Sequence, residues 1–564
     1  MALCWVLIAL PGCGQEGQVN PADRLDRPPN VVLITVDTLR ADRLGAYGYE
    51  KAHTPAIDAL AAGGVLFTDA STCIPRTTQA VASLFTSRYP HEHGVLEIGE
   101  RLPHTAWTLA EQLKRAGYRT AGISANFVAG RLQGLDQGFD TFVGMGDLRS
   151  RYPIREELRK SPPAAIGKAE AVTREALRWL EEIEGEPYFL WLLYFDPHFR
   201  YDPPPPFWGR IDPAHFPFYR ELATFDPKHP TIYFNLNGRS EAALAGVSAL
   251  YDGEVAYTDS MISRLVTELR RRPDWNDTLI VFTADHGESL GEHGYYFEHG
   301  DLVYQATVRV PLILHQPSRL PVGRRVDGPV SLLDVFPTVL SLIGDDADRP
   351  VLSGVDLSPA LDGERPDEDR VVLAESGSAL FPENPRRALG GRLGAREVRR
   401  LLPRPDGPVP VSFRQLPFRY ARRNPWVIVE RADAEEPELY DAEADPSLRE
   451  NLRTAHPEVT EELSQELDAI PVGAGRWRMA RRGPWKLIRI PELGRTRFEL
   501  YNVDADPMET RDLFGSRPTV ETELRRVLEE WVGSIPPPPR PSPPRSPRSA
   551  IEVEERLRAL GYVE

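Results

Sequence analysis

The sequence predicts an α/β protein: a doubly wound sheet, mixed but mainly parallel, in a large catalytic domain, followed by a smaller C-terminal α+β domain. Three observations predict it. Residues 31–36, 188–195 and 278–283 are unbroken apolar or β-branched runs, as suits strands buried on both faces. Each run gives way to a carboxylate, at Asp37, Asp196 and Asp285. Stretches of helical composition separate the runs, the alternation that a parallel sheet with crossover helices requires.

A chain of 564 residues exceeds one ordinary core, and 41% hydrophobic content supports packed domains rather than disorder. The net charge of −16 argues against nucleic acid, which needs a basic stripe. Residues 1–28 read as an export leader and tether. Met1 to Leu10 is apolar but too short to span a bilayer. Leu10-Pro11-Gly12-Cys13 looks like a bacterial lipobox, so the expectation is a periplasmic or outer-surface protein, with lipid on Cys13 as a membrane anchor. The remaining cysteines are Cys4 and Cys73, so a processed chain keeps no internal pair for a disulfide.

Residues 29–365 form the large domain. After the strand at 31–36, Asp37 either caps a helix starting at Thr38 or carries chemistry. Residues 105–118 have helical spacing ending at Gly117, 120–124 read as a strand and 169–183 as a helix. A helix around 251–270 leads into the strand at 278–283, and 311–315 is a fourth strand. Residues 366–535 change texture and contain a near-repeat: Arg422-Arg423-Asn424-Pro425-Trp426 is echoed by Arg481-Arg482-Gly483-Pro484-Trp485, each followed by Leu-Tyr and then Asp-Pro. Each unit reads as a hairpin, a turn and a helix. Residues 536–564 are a proline-rich tail with one short helix near its end.

Residues 73–90 carry two candidate nucleophiles, Cys73 in a Cys-x-Pro context and Thr77. Asp37, Thr77, Asp285 and His286 make one coherent idea. Asp37 and the Asp285-His286 pair lie at strand ends, where open α/β sheets bind ligands, and Gly287 permits the turn that aims adjacent side chains at one ion. Two carboxylates and an imidazole suit one hard divalent cation, with Ca, Mg, Mn and Zn all left open. Thr77 completes the set as a hydroxyl nucleophile, which metal coordination activates when no base adjoins it. His198, in the proline-rich stretch after residue 195, suits a leaving-group acid. His299 suits a contact to the oxygens of a tetrahedral anionic centre, sulfur or phosphorus. His91 and His93 read as loop structure.

Residues 30–42, 53–61 and 82–95 resemble the sulfatase family of the alkaline-phosphatase superfamily, as do Asp196-Pro197-His198 and residues 251–259, 283–288, 309–313 and 332–338. The resemblance implies that family's fold, a divalent cation and a sulfuric ester hydrolase. Family members read Cys-x-Pro-x-Arg, with the cysteine converted to formylglycine and a threonine nine residues later. That threonine corresponds to Thr86, and nine residues before it stands Thr77. Arg76 lies three residues after Cys73, not four, and the position four after Thr77 is Val81. The resemblance therefore implies a variant with Thr77 as nucleophile and no formylglycine. Thr38 stands where many sulfatases carry another metal-binding Asp. The substrate is then a small-molecule or glycan sulfate ester. Two alternatives stay open: a phosphodiester or phosphonate monoester hydrolase or phosphoryl-group transferase of the same superfamily, and a degenerate homologue that only binds an anion or glycan.

Overall fold

A computed structural model describes most of residues 28–536; residues 1–27, 153–168, 208–240, 378–417 and 537–564, and shorter stretches between 200 and 494, lie outside the described residues. The leader, Cys13 and the tail helix are among the latter.

The apolar runs become the centre of one sheet. β1 (Asn30–Val36) lies between β5 (Tyr188–Tyr194) and β6 (Thr278–Ala284), parallel to both. All three are buried along their length, which is why their sequences do not alternate polar and apolar residues. The register pairs Val36 with Tyr194 and with Ala284, so the chain leaves all three strands at one edge. Asp37, Asp196 and Asp285 are thereby delivered to the same end of the sheet.

The other strands are β2 (Val65–Ser71), β3 (Arg119–Ser124), β4 (Thr141–Val143), β9 (Arg309–His315) and β10 (Arg324–Ser331), giving the order β10-β2-β9-β6-β1-β5-β3-β4. β9 runs antiparallel to its neighbours β2 and β6, so the sheet is mixed as expected. A two-stranded ribbon, β7 (Ser289–Leu290) with β8 (Tyr296–Glu298), follows β6. Helices pack against the sheet, among them α1 (Pro55–Ala62), α2 (Thr77–Thr86), α3 (Leu109–Arg115), α4 (Ala169–Glu181) and α5 (Glu241–Arg270).

Local chemistry sets several boundaries. α3 begins four residues later than helical spacing alone predicts, because Thr108 caps it: its hydroxyl accepts from Glu111 N at 3.1 Å, and Glu111 Oε2 accepts from Thr108 N at 2.9 Å. No helix begins at Thr38. The chain turns there with φ 56, and only two short turns, Ala41–Arg43 and Gly45–Tyr47, follow.

The C-terminal half holds two antiparallel sheets. β11 (Val372–Glu375) pairs with β15 (Arg478–Arg482), then β16 (Trp485–Glu492) and β17 (Arg495–Asn502). β12 (Phe418–Arg423), β13 (Trp426–Arg431) and β14 (Glu438–Asp441) form the other. The near-repeat is thus structural: each copy is a hairpin-containing unit followed by a helix, α6 (Pro457–Asp468) and α7 (Pro518–Ser534), but α7 begins at Pro518 rather than at Asp506-Pro507, which lies in a turn. Leu524, Leu528 and Trp531 of α7 pack on Ala480, Leu487 and Leu500.

Candidate active site

Asp37 follows β1 and Asp285-His286 follows β6, so the parallel register places these three side chains together. Their ligand-capable atoms all lie within 4.8 Å of one another, and all three residues are fully buried. His286 Nε2 is 3.8 Å from Asp37 Oδ1 and 3.5 Å from Asp285 Oδ2. His286 Nδ1 faces the carbonyl of Gly287 at 3.0 Å. A carbonyl only accepts, so Nδ1 carries the proton and Nε2 presents its lone pair to the carboxylates.

That arrangement suits a cation. Burial, then repulsion from Asp285, pushes the Asp37 carboxyl well above the usual range, and burial pushes Asp285 up to about 7. Asp37 Oδ1 and Asp285 Oδ2 are buried with no hydrogen-bond partner, although each remaining oxygen has one. Two partnerless carboxylate oxygens facing an imidazole lone pair fit a hard divalent ion.

Thr77 is the first residue of α2, and its Oγ1 lies 3.2 Å from His286 Nε2. Cys73 is elsewhere. It packs with Ile74, Ala80 and Leu333, and burial pushes its thiol up to about 12. A thiol that resists ionisation in this way is poorly suited to act as a nucleophile.

His299 stacks on His286 with ring centres 4.3 Å apart, and His198 meets His299 edge-on at 5.1 Å. His299 Nδ1 lies 3.1 Å from Glu288 Oε1, and His198 Nδ1 lies 2.5 Å from the Phe199 carbonyl. Burial holds His198 down to about 4 and His286 to about 3, and pushes His299 well below its ordinary value. All three are neutral in this state. The structure thus gathers Asp37, Thr77, His198, Asp285, His286 and His299 into one cluster.

Three further groups join it that sequence reasoning missed. Asn126, just past β3, donates Nδ2 to Asp37 Oδ2 at 2.5 Å. Its place beyond a parallel strand was the available signal. Glu288, three residues after Asp285, orients His299. Thr38 holds a left-handed backbone that β-branched residues rarely adopt, and its N–H donates to Asp285 Oδ1 at 3.3 Å. No local sequence signal marks that strain.

The sulfatase family profile matches residues 29–345, more than half of the chain. The chain belongs to the sulfatase family. Steryl-sulfatase of Mus musculus is 30% identical over 424 residues, covering 61% of this chain and 66% of the mouse protein, just under two thirds of its length. Among solved structures, a protein in complex with its substrate D-glucosamine-2-N,6-O-disulfate superposes with a TM-score of 0.60 at 17% identity, over 90% of this sulfatase-family chain and 98% of the other. The phosphonate monoester hydrolase of Agrobacterium radiobacter gives 0.59 at 21%, over 90% and 96%. At such identities these two likenesses speak for the fold. They agree with the large, mostly parallel sheet and the separate antiparallel C-terminal sheet.

Proposed function

We propose that this chain hydrolyses sulfate esters through Thr77. The observation that carries the reading is the contact of Thr77 Oγ1 with His286 Nε2, at 3.2 Å, beside the carboxylates of Asp37 and Asp285. Asp37, Asp285, His286 and Thr77 would hold one divalent cation. When bound, the cation supplies charge neutralisation and acidifies a hydroxyl.

The remaining chemistry belongs to the side chains. Thr77 Oγ forms a bond to sulfur as the bond from sulfur to the alcohol oxygen breaks, giving a threonyl sulfate; the Thr77 proton leaves to water. His198, having taken a proton from solvent, passes it to the departing alkoxide, which leaves as the alcohol. Neutral His198 then takes a proton from an incoming water. That water bonds to sulfur, the bond to Thr77 Oγ breaks, and Thr77 recovers its proton from solvent. His299, held by Glu288, contacts the anion's oxygens.

Small-molecule esters and sulfated glycans both suit such a site. A phosphonate monoester or phosphodiester is the second reading. It is favoured by Thr38 at the position where a second early carboxylate would stand, and by the similarity in fold to a phosphonate monoester hydrolase. We further propose export and lipidation of Cys13, for which mass spectrometry of the mature N-terminus is the test: an unmodified Met1 in the cytoplasm refutes both. No helix among the described residues is long and apolar enough to cross a membrane.

The catalytic test compares nitrophenyl sulfate, bis-nitrophenyl phosphate and a phosphonate monoester with Mn, Ca, Mg or Zn. Sulfate ester cleavage is expected to dominate, and Thr77→Ala and Asp285→Ala should each lose at least about 10³-fold in kcat/KM. Wild-type rates in those variants refute the site. Phosphoryl turnover without sulfate release favours the second reading, and no turnover on the whole panel favours an anion-binding homologue.

A further inference from the structure

Arg76 directly precedes Thr77 and is buried, with 6% of its surface exposed. Its backbone is extended, so α2 starts only at the next residue, and its carbonyl accepts from Ala80 N at 2.8 Å. The side chain is held from three directions. Nη2 pairs with Asp301 Oδ1 at 2.9 Å. On one side lies Gly300, where an added Cβ would sit 2.0 Å from Arg76 Nε and 2.3 Å from Cζ. On the other lies Gly377, just beyond β11, where an added Cβ would sit 2.8 Å from Nε and 2.9 Å from Cγ. The two glycines are joined by a hydrogen bond from Gly377 N to Gly300 O at 2.6 Å.

The slot is shaped to this side chain: a Cβ at Gly300 would overlap the guanidinium, and one at Gly377 would crowd its stem. Gly300 also needs its backbone freedom, at φ +100, but Gly377 has no left-handed backbone to justify it. The slot adjoins the cluster: Arg76 directly precedes Thr77, and Gly300 directly follows His299, whose ring stacks on His286. Val81, where the family resemblance would put an arginine, is apolar and fully buried. A fold that carries a cation beside the positive N-terminal end of α2 and two imidazoles, and fixes it from two domains, has reason to want an anion there.

We propose that Arg76, fixed between Gly300 and Gly377 and paired with Asp301, binds the anionic head of the substrate, so that the C-terminal sheet completes the site through Gly377. The proposal rests on the ester-hydrolase reading above and specifies which residue grips the oxyanion.

Its test separates binding from packing. The double variant Arg76→Met/Asp301→Leu replaces the buried pair by apolar groups of similar size, a change that buried ion pairs often tolerate. Gly377→Ala keeps both charges and disturbs only the slot. Full-length Mn-loaded protein is titrated with inorganic sulfate and inorganic phosphate, by calorimetry and as inhibitors of nitrophenyl ester hydrolysis. The double variant should keep its circular dichroism while losing about 10²-fold in anion affinity and about 10²- to 10³-fold in kcat/KM; Gly377→Ala should lose about 10-fold in both. Wild-type anion affinity in either variant overturns the proposal and leaves Arg76 a structural partner of Asp301. If the double variant does not fold, Gly377→Ala decides alone. If wild-type protein hydrolyses no ester yet binds the anions through Arg76, the ester-hydrolase reading fails and the anion site stands.

Discussion

Asp285 shows how a side chain that is unfavourable for folding can still suit a metal-binding role. Its carboxylate is buried beside Asp37, and Oδ2 has no hydrogen-bond partner. Removing the charge should therefore help the metal-free fold. Asp285→Asn is expected to raise the thermal midpoint of chelator-treated protein, while abolishing the rise that added metal produces in the wild type. That rise reflects about 2.7 kcal/mol at a hundredfold excess over Kd. A metal response surviving in Asp285→Asn would contradict the ligand set. Cys73 marks the opposite case. Its Cys-x-Pro context suggests a nucleophile, but its thiol packs among Ile74, Ala80 and Leu333. Cys73→Ser should keep catalytic activity within about threefold, at a stability cost of about 1–3 kcal/mol for the polar group it buries. A variant that folds but loses turnover would return the nucleophile to Cys73.

At the level of elements, α2 is the piece that everything else anchors. Every residue of it is buried, so its ends are positioned by contacts and not by amphipathic patterning. His93, expected only as loop structure, is one such contact. Val95 N donates to His93 Nδ1 at 3.2 Å, so the ring proton sits on Nε2 and donates to Ser83 Oγ of α2 at 2.9 Å. A second proton on Nδ1 would face the Val95 N–H, and burial holds the ring down to about 3, against 6.5 ordinarily. Between those values the unfolded chain binds more protons than the folded one. Stability is therefore complete above 6.5 and is lost as pH falls toward 3, by up to about 1.4 kcal/mol per pH unit. Urea unfolding at about pH 7 and about pH 5 should show this loss, and His93→Gln should show a shallower one. Equal slopes would mean that His93 does not contribute.

For the whole molecule, buried polar contacts join the C-terminal sheet to the part of the chain that carries the large sheet. Within the C-terminal part, Lys486 of β16 pairs with Glu509 at 2.7 Å, with neither side chain more than 1% exposed, and both reach Gln305 of the large domain. Lys486 also donates to Gln305 Oε1 at 3.3 Å, and Gln305 N donates to Glu509 Oε2 at 2.6 Å. Arg481 of β15 reaches Asp69 of β2 at 2.5 Å. Breaking such a pair on one side strands a charge. Lys486→Met should cost about 3–5 kcal/mol by urea unfolding, while Lys486→Met/Glu509→Leu should recover part of it. A single substitution costing less than about 1 kcal/mol would show that this buried network adds little to the junction.

Much of this was legible in the chain. Three apolar runs ending on carboxylates define the central strands and the edge where Asp37, Asp285 and His286 converge, because a buried parallel strand must be apolar throughout and can change character only where it leaves the sheet. Counting between Thr86 and Thr77 singled out the hydroxyl beside His286, and the near-repeat foretold two units of hairpin, turn and helix. Other features are invisible along the sequence. The strained turn at Thr38, the grip of Asn126 on Asp37 and the seating of Arg76 between Gly300 and Gly377 join residues tens to hundreds of positions apart, or depend on backbone angles that no residue type announces. Periodicity and motif spacing are short-range properties of a chain. Which distant side chains share a buried site is decided only when strands pair in register and segments far apart in the chain pack around their ends.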